Sequence, residues 1–210
     1  KTGGIENLIA SYVLRGKKVI IVDCGPSSSI PNLLSGLDEL GIEREDVAYL
    51  AETHVHIDHS GGVGTLLHSL PNAKVVVHPR GAPHLIDPVK LWEASKETLT
   101  YVAEIFGKPQ PVDKNRIVIA SEGMIIDAGG GVQLQVVEAL GHSAHNVSYF
   151  EPKSGELFPG DSAGAYLSKF DTVLPTTPPP FRPDMALATI EKLINLNPKV
   201  IYYPHFGYTS

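Results

Sequence analysis

Residues 54–59, with the sequence HVHIDH, constrain this chain more than any other stretch. Three histidines and one aspartate fall within six positions, and imidazole and carboxylate are the ligands that Zn(II), Fe(II) and similar ions take when no thiolate is offered. The apolar run Asp46–Ala51 before the motif predicts a buried strand. Gly61 and Gly62 follow the motif and lead into apolar residues at helical spacing. This order predicts half of a metal site just beyond the C-terminal end of a strand.

The spacing within the motif bears on how many ions it serves. In an extended segment alternate side chains share a face, so His54, His56 and Asp58 point to one side. On a helix, side chains two positions apart would not face each other. A bend at Asp58-His59 directs His54 and His56 at one ion and Asp58 and His59 at a neighbouring ion. We therefore expect two adjacent ion sites.

The composition is that of a globular domain and excludes several partners. The chain has 210 residues, of which 42% are hydrophobic and 19% charged, and this predicts one domain over residues 1–210. The net charge is −6 and Lys or Arg never run longer than two residues, which argues against nucleic acid and anionic membranes. No apolar stretch reaches membrane-spanning length. The expected partner is a small-molecule substrate; nothing in the sequence predicts the oligomeric state.

Two further expectations concern the setting of the chain. Cys24 is the only cysteine and cannot form an internal disulfide, so a cytoplasmic location and a free core thiol are expected. The chain begins at Lys1 and ends soon after the sequence PHFG at 204–207, so we expect the C-terminus to be truncated.

The order of predicted elements is β-β-α-β-α-β, then further strands and one late helix. It favours two β-sheets packed together and flanked by helices. The second half is predicted to begin with a strand at 116–119. Residues 83–111 form a predicted helical insert near the active site, which either covers the site as a lid, with an apolar side for an acyl chain, or packs on the sheet. Pro175 to Pro183 holds five prolines and is predicted to be an extended connector.

Three more ligand candidates follow predicted strands. His142 follows the strand at 132–139, Asp161 the strand at 156–158, and His205 the strand at 200–203. Each lies next to or near a glycine. Ligand sites in layered α/β folds gather at strand ends, where a rigid sheet holds the loops.

With HVHIDH at 54–59, GH at 141–142, GD at 160–161 and PHFG at 204–207, the chain resembles the metallo-β-lactamase superfamily. The motifs occur in the family's order over nearly the whole chain. The resemblance implies an α/β fold of four layers, the αββα metallo-β-lactamase sandwich, with metals in a groove along one edge. Asp23 matches a family position that supports the metal ligands, and its alternative role is to cap a turn after a strand.

The ligand roles are carried over residue by residue. The resemblance implies that the first metal is held by His54, His56 and His142, and the second by Asp58, His59 and His205. Asp161 corresponds to the carboxylate that bridges both. The cofactors are then two divalent ions; Zn is the first expectation, and Fe or Mn also suit such a donor set.

This site predicts hydrolytic chemistry. Two divalent ions about 3.5–4 Å apart hold a bridging hydroxide at neutral pH, which attacks a polarised carbonyl or phosphoryl group. Asp58 is the expected catalytic residue, because it orients the hydroxide as well as binding metal. The outer nitrogens of the histidines are expected to bond to carboxylates or backbone carbonyls.

Substrate-binding candidates lie near the ligands. His145 and Asn146 either line the substrate groove or shape their loop. Tyr166 either donates its hydroxyl to a developing oxyanion or is a half-buried aromatic residue. His78 and His84 become relevant if the insert covers the metals.

The superfamily includes several activities, and features of this sequence argue against some of them. The antibiotic-hydrolysing enzymes usually carry Cys or Ser at the position of Asp161, diiron flavoproteins carry H-x-E-x-D and a flavin domain, and the nucleases need a basic surface. A glyoxalase II-like hydrolase of a small thioester, lactone or related ester is the first choice, although no glutathione-binding set of basic residues is evident. The alternative is a mononuclear iron persulfide dioxygenase, which uses fewer ligands. A non-catalytic binding module is a third class.

Overall fold

The computed structural model describes residue 2, residues 8–205 and residues 207–210. The first half of the chain forms a five-stranded sheet in the order of the sequence. Its strands are β1 (Tyr12–Arg15), β2 (Val19–Val22), β3 (Val47–Ala51), β4 (Lys74–Val77) and β5 (Ile117–Ile119). The strands β1 and β2 form an antiparallel hairpin, and the other neighbours are parallel. The strand predicted to open the second half is β5, and it completes this first sheet by pairing with β4.

The second half forms a six-stranded, mostly antiparallel sheet. Its strands are β6 (Ile125–Gly129), β7 (Val132–Glu138), β8 (Val147–Glu151), β9 (Glu156–Phe158), β12 (Val200–Tyr203) and β13 (Gly207–Thr209). Between β9 and β12 the chain forms a separate antiparallel hairpin of β10 (Ala165–Leu167) and β11 (Thr172–Leu174). The sheet order is β13-β12-β9-β8-β7-β6, with β12 parallel to β9. The sequence did not predict β10, β11 or β13. Residues 175–180 form no helix or strand, as expected for the proline-rich connector.

Seven helices accompany the sheets in the part of the chain that the structure describes. They are α1 (Ile30–Glu39), α2 (Ile57–Ser60), α3 (Val63–Leu67), α4 (Ala82–Ile86), α5 (Val89–Leu99), α6 (Tyr101–Phe106) and α7 (Pro183–Asn195). Within residues 2, 8–205 and 207–210, none of the helices combines the length and the apolar character that crossing a bilayer requires.

Alternation of side chains along the strands assigns the layers. In β2, Ile21 packs on the helical side with Leu37 of α1, whereas Ile20 and Val22 face the second sheet. In β7, Val136 faces the first sheet and Val137 packs outward against Leu193 of α7. Helices therefore cover the outer face of each sheet, and apolar cores lie both between the sheets and under the helices. This is the predicted αββα sandwich.

The helical insert packs on the histidine motif. Trp92 of α5 and Ala103 and Phe106 of α6 form a buried apolar cluster with Ile57, the first residue of α2. Leu85 of α4 lies in the core on the outer face of the first sheet, as the second alternative predicted. The apolar side of α5 and α6 instead supports the motif from behind.

Candidate metal centre

Each predicted ligand lies just beyond the C-terminal end of a strand, and all of these ends meet at one edge of the sandwich. The histidine motif follows β3, and His142, Asp161 and His205 follow β7, β9 and β12. Residues 54–56 are extended, and α2 begins at Ile57. The bend therefore comes one residue earlier than predicted, and it separates the direction of His54 and His56 from that of Asp58 and His59.

Seven side chains converge in three overlapping groups. Within each group, one donor atom per residue lies within 4.8 Å of the others, and the groups are His54, His56 and His142; His54, His59 and Asp161; and Asp58, His59 and His205. The first and third groups are the two triads implied by the resemblance. Asp161 lies between them, with its carboxylate 3.4–3.6 Å from Nε2 of His59, His142 and His205. The structure thus brings all seven candidates together; that they bind ions stays a prediction.

Two glycines explain why the motifs read GH and GD. Gly160 has a φ of +58°, and a Cβ there would lie 2.7 Å from Cβ of Thr53. Gly141 has a φ of +130°, and a Cβ there would lie 2.5 Å from Cα of Ala186 in α7. Both backbone conformations disfavour residues other than glycine. The close contacts with Thr53 and Ala186 also leave no room for a side chain at either position. Glycine therefore permits the loops that carry Asp161 and His142 to reach the centre.

Four histidines hold an oxygen partner on the outer nitrogen, Nδ1. Their partners are Thr53 Oγ1 at 3.0 Å for His54, Asp23 Oδ2 at 3.1 Å for His59, the Thr176 carbonyl at 3.0 Å for His142 and the Leu8 carbonyl at 3.3 Å for His205. The expectation of carboxylate or carbonyl partners is confirmed for three, and the fourth partner is a hydroxyl. A proton held on Nδ1 leaves Nε2 free to face the centre.

Asp23 organises this shell. It is buried at φ +50°, and its carboxylate accepts hydrogen bonds from the Thr53 amide (2.7 Å) and hydroxyl (2.8 Å) as well as from His59. Because the Thr53 hydroxyl donates to Asp23, it accepts from Nδ1 of His54. Asp23 thus orients two histidines, one directly and one through Thr53, in the supporting role that the sequence predicted.

We expect Asp23→Asn to weaken metal binding about 10–100-fold, the usual effect of losing a partner of a ligating histidine. Asparagine tolerates the left-handed backbone, but its amide cannot accept from both Thr53 and His59. Titration of metal-free protein with Zn(II) measures the change. Asp46→Asn, at an exposed ion pair with Lys18, is the control. Equal affinity in Asp23→Asn and the parent protein would contradict the orienting role.

The two triads differ in their protonation. Burial lowers the pKa of His54, His56 and His142, to about 4 for His56, so these imidazoles are neutral at pH 7. Burial also acts to lower the pKa of His59, but the carboxylates of Asp58, Asp161 and Asp23 outweigh it and raise that pKa to about 10. Asp161 likewise raises the pKa of His205. One triad offers free lone pairs, whereas in the other the neighbouring carboxylates hold His59 as an imidazolium.

The buried polar atoms at the centre fit a divalent cation. Nε2 of His59 and Oδ1 of Asp161 are buried without a hydrogen-bond partner. Nδ1 of His56 lies 3.0 Å from Nε2 of His54 and 3.2 Å from Nε2 of His142, so three inner nitrogens face one another. Buried polar atoms without partners are costly, and a cation bound among these atoms would satisfy all of them.

The substrate-binding candidates are placed differently from one another. His145 lies beside the centre, with its ring stacked 6.4 Å from that of His54 and edge-on 5.6 Å from that of His56. Its pKa is lowered to about 3 by burial and by His56, so it is neutral. His84 lies 6.2 Å from it, and His78 contacts Glu138 at 3.4 Å. His145 and His84 are partly exposed and lie at the rim of the centre.

For Asn146 and Tyr166 the structure favours the second alternative, a residue that shapes its loop and a partly buried aromatic residue, over a contact with substrate. Asn146 is fully buried, and its amide donates to Ser162 Oγ at 2.8 Å and to the Val147 carbonyl. It therefore ties β8 to the turn that carries Asp161 and shapes the loop. The Tyr166 hydroxyl donates to Asp171 at 2.8 Å, and its ring stacks on Tyr203. With its hydroxyl held in the β10–β11 hairpin, Tyr166 is not placed to stabilise an oxyanion.

Sequence reasoning missed three residues of the centre. Thr53 and Glu52 precede the motif directly, and Glu52 is a fully buried carboxyl group whose pKa is raised by burial and by Asp23. Their signal was a polar pair at the end of an apolar strand. Thr176 holds His142 through its carbonyl, and its hydroxyl donates to the Asp161 carbonyl at 2.6 Å. Nothing in the proline-rich connector marks it.

Comparison with known proteins agrees with the fold and the motifs. A family model for the metallo-beta-lactamase superfamily matches residues 5–205. The chain therefore belongs to the metallo-beta-lactamase superfamily. Members of this superfamily bind divalent metals, and many are metal-dependent hydrolases.

Three relatives show the range of similarity. The metallo-beta-lactamase fold-containing protein ST1585 of Sulfurisphaera tokodaii is 32% identical over 95% of this chain and 73% of its own length. Its crystal structure matches with a TM-score of 0.83 and 30% identity, and the match covers 97% of this chain and 76% of that chain. The N-acyl homoserine lactonase AttM of Azorhizobium caulinodans is 30% identical over 56% of this chain and 41% of its own. The di-iron-bound structure of TTHA1623 matches with a TM-score of 0.71, 24% identity and coverage of 95% and 88%, which shows the shared fold alone.

Proposed function

We propose that this protein is a metal-dependent hydrolase that cleaves a small thioester, lactone or related ester at a centre for two divalent ions. The observation that carries the proposal is the convergence of seven His and Asp side chains in two adjoining triads around Asp161. His54, His56 and His142 would hold one ion, Asp58, His59 and His205 the other, and Asp161 both. Bound divalent ions lower the pKa of a water ligand and polarise a substrate carbonyl.

The chain's own residues prepare this site for hydrolysis. Asp58 is partly exposed, and its Oδ2 lies 3.6 Å from Nε2 of His59 and 4.0 Å from Nε2 of His205. Its carboxylate therefore borders the centre on the solvent side, where it can orient the attacking water and accept its proton at Oδ2. Asp161 is buried, and the neighbouring imidazolium groups, above all His59, lower its pKa against the effect of burial. It stays ionised as a ligand.

The burial and the raised pKa of the single cysteine argue against a thiol nucleophile. Cys24 is buried, and burial, with Glu52 and Asp23, raises the pKa of its thiol well above the usual value. A thiolate is the reactive form of cysteine, so Cys24 is a core thiol. We assign the role of nucleophile to water activated at the His and Asp cluster. The lactonase AttM, which shares part of this chain's sequence, supports an ester or lactone substrate.

Metal analysis combined with two activity assays tests the proposal. We expect about two metal equivalents per chain in protein never exposed to chelator. We further expect hydrolysis of short-chain acyl thioesters or lactones without consumption of O2. One iron per chain together with O2 uptake on a persulfide would establish the dioxygenase instead, and absence of bound metal would overturn both.

A further inference from the structure

A cavity of about 360 Å³ adjoins the metal centre on the side of α7. Its lining is largely apolar and includes Leu140, Val173, Phe181, Ala186, Leu187 and Ile190. His142 and Asp161 form its inner end, so the cavity opens directly onto the predicted ligands. It lies between the connector, the β10–β11 hairpin and the first turns of α7, away from the helical insert.

Ser162 and Thr176, two of the polar residues on the cavity wall, already have hydrogen-bond partners within the protein. Ser162 donates to the Ala139 carbonyl at 2.9 Å and accepts from Asn146, and Thr176 donates to the Asp161 carbonyl. Apart from Asp161, no lining residue is an acid, a lysine or an arginine. The wall therefore offers a ligand apolar contact and no counter-charge, which favours an uncharged hydrocarbon group.

The lining side chains are apolar yet accessible. Val173 is 42% exposed and Leu187 67% exposed, whereas Phe181 and Ile190 are partly exposed. A concentration of accessible apolar side chains next to a polar centre is typical of a binding site. The volume suits an unbranched chain of roughly six to ten carbons, near the small end of ligand pockets.

We propose that this cavity binds the acyl chain of the substrate and gives the enzyme a preference for medium-chain acyl thioesters or lactones. The inference rests on the proposed function, because the carbonyl group of the substrate would then lie at the inner end beside His142 and Asp161. Thr176 is hydrogen-bonded to both of these residues and also lines the cavity. The same residue would therefore contact the acyl chain and orient the candidate metal ligands.

Binding of straight-chain carboxylates from butanoate to decanoate, measured by calorimetry on the metal-loaded protein, tests the cavity without requiring turnover. We expect affinity to rise about fourfold per added methylene until the cavity is full, the factor that corresponds to ~0.8 kcal/mol per CH2. The carboxylate head group is constant across the series, so the slope reports the cavity alone. An affinity independent of chain length would overturn the proposal.

Three substitutions at two positions on one face of α7 locate the acyl chain. Ile190→Trp fills the cavity and is expected to weaken octanoate binding at least about tenfold. Ile194→Trp, one turn further along, is the matched control, because Ile194 is 65% exposed and does not line the cavity. Ile190→Ala enlarges the cavity and is expected to move the longest favourable chain up by about two to three carbons. If Ile190→Trp and Ile194→Trp bind octanoate equally, or if Ile190→Ala leaves the optimum unchanged, the chain lies elsewhere.

The same carboxylate series separates the two proposals. If thioesters or lactones are hydrolysed at a rate that depends neither on chain length nor on the Ile190 substitutions, the proposed hydrolase is supported and the proposed acyl cavity is contradicted. If carboxylate binding depends on chain length and is abolished by Ile190→Trp, but no ester, thioester or lactone is hydrolysed, the acyl cavity is supported and the proposed reaction is contradicted.

Discussion

Asp161→Asn should reduce hydrolysis by at least about a thousandfold while the protein keeps its fold. The carboxylate of Asp161 lies 3.4–3.6 Å from Nε2 of His59, His142 and His205, and it is the one carboxylate between the two triads. Asparagine keeps the shape but removes the charge and one ligand atom, so each of the two proposed ions would lose a ligand. Steady-state hydrolysis and the bound metal per chain measure the effect, and we expect the metal content to fall to one equivalent or less.

A matched control comes from α7. Asp184→Asn makes the same change at an exposed carboxylate that pairs with Arg182, and we expect activity within about twofold of the parent protein. Circular dichroism of both variants excludes unfolding as the cause. Full activity in Asp161→Asn would refute the role given to Asp161.

Removal of metal should lower the Tm by about 8–16 °C at pH 8. Metal present at a thousand times its Kd stabilises the native state by about 4 kcal/mol, and 1 kcal/mol shifts the Tm of a chain of this size by about 2–4 °C. Thermal unfolding of protein prepared with Zn(II) and with chelator measures the difference. A Tm difference below about 2 °C at pH 8 would show that the centre holds no tightly bound ion.

The Tm difference should shrink as the pH falls. In the metal-free fold the pKa of His59 is about 10, above its ordinary unfolded value, so its protonation stabilises that fold fully below pH ~6.5 and is lost as the pH rises through 10. His205 acts in the same direction. Ions must displace these protons, so metal binding weakens in acid. We expect the Tm difference at pH 5.5 to be less than half of that at pH 8; an equal difference would contradict the assigned protonation.

The sequence identified the candidate ligands because their signal is local. A histidine or aspartate next to a strand end and a glycine is readable in a few residues, since a buried strand has an apolar pattern and Gly141 and Gly160 occupy conformations that few other residues adopt. The layers were predicted from the order of the elements and from the resemblance; β2 is apolar and buried on both faces, so its sequence alone does not show which side chains face the helices. Asn146 and Tyr166 lay near the ligands in sequence, and nothing local showed that Asn146 is buried and that Tyr166 pairs with Asp171.

Everything that depends on distant partners was decided by the tertiary structure alone. The Leu8 and Thr176 carbonyls that orient His205 and His142 lie 197 and 34 residues away from them, and a backbone carbonyl carries no residue-specific signal. The insert's packing on Ile57 and the cavity beside α7 likewise arise from segments far apart in the chain. The sequence by itself determined which side chains are candidate ligands. Packing determined how they are oriented and what lies beside them, because orientation and cavity shape come from contacts between elements rather than from any one of them.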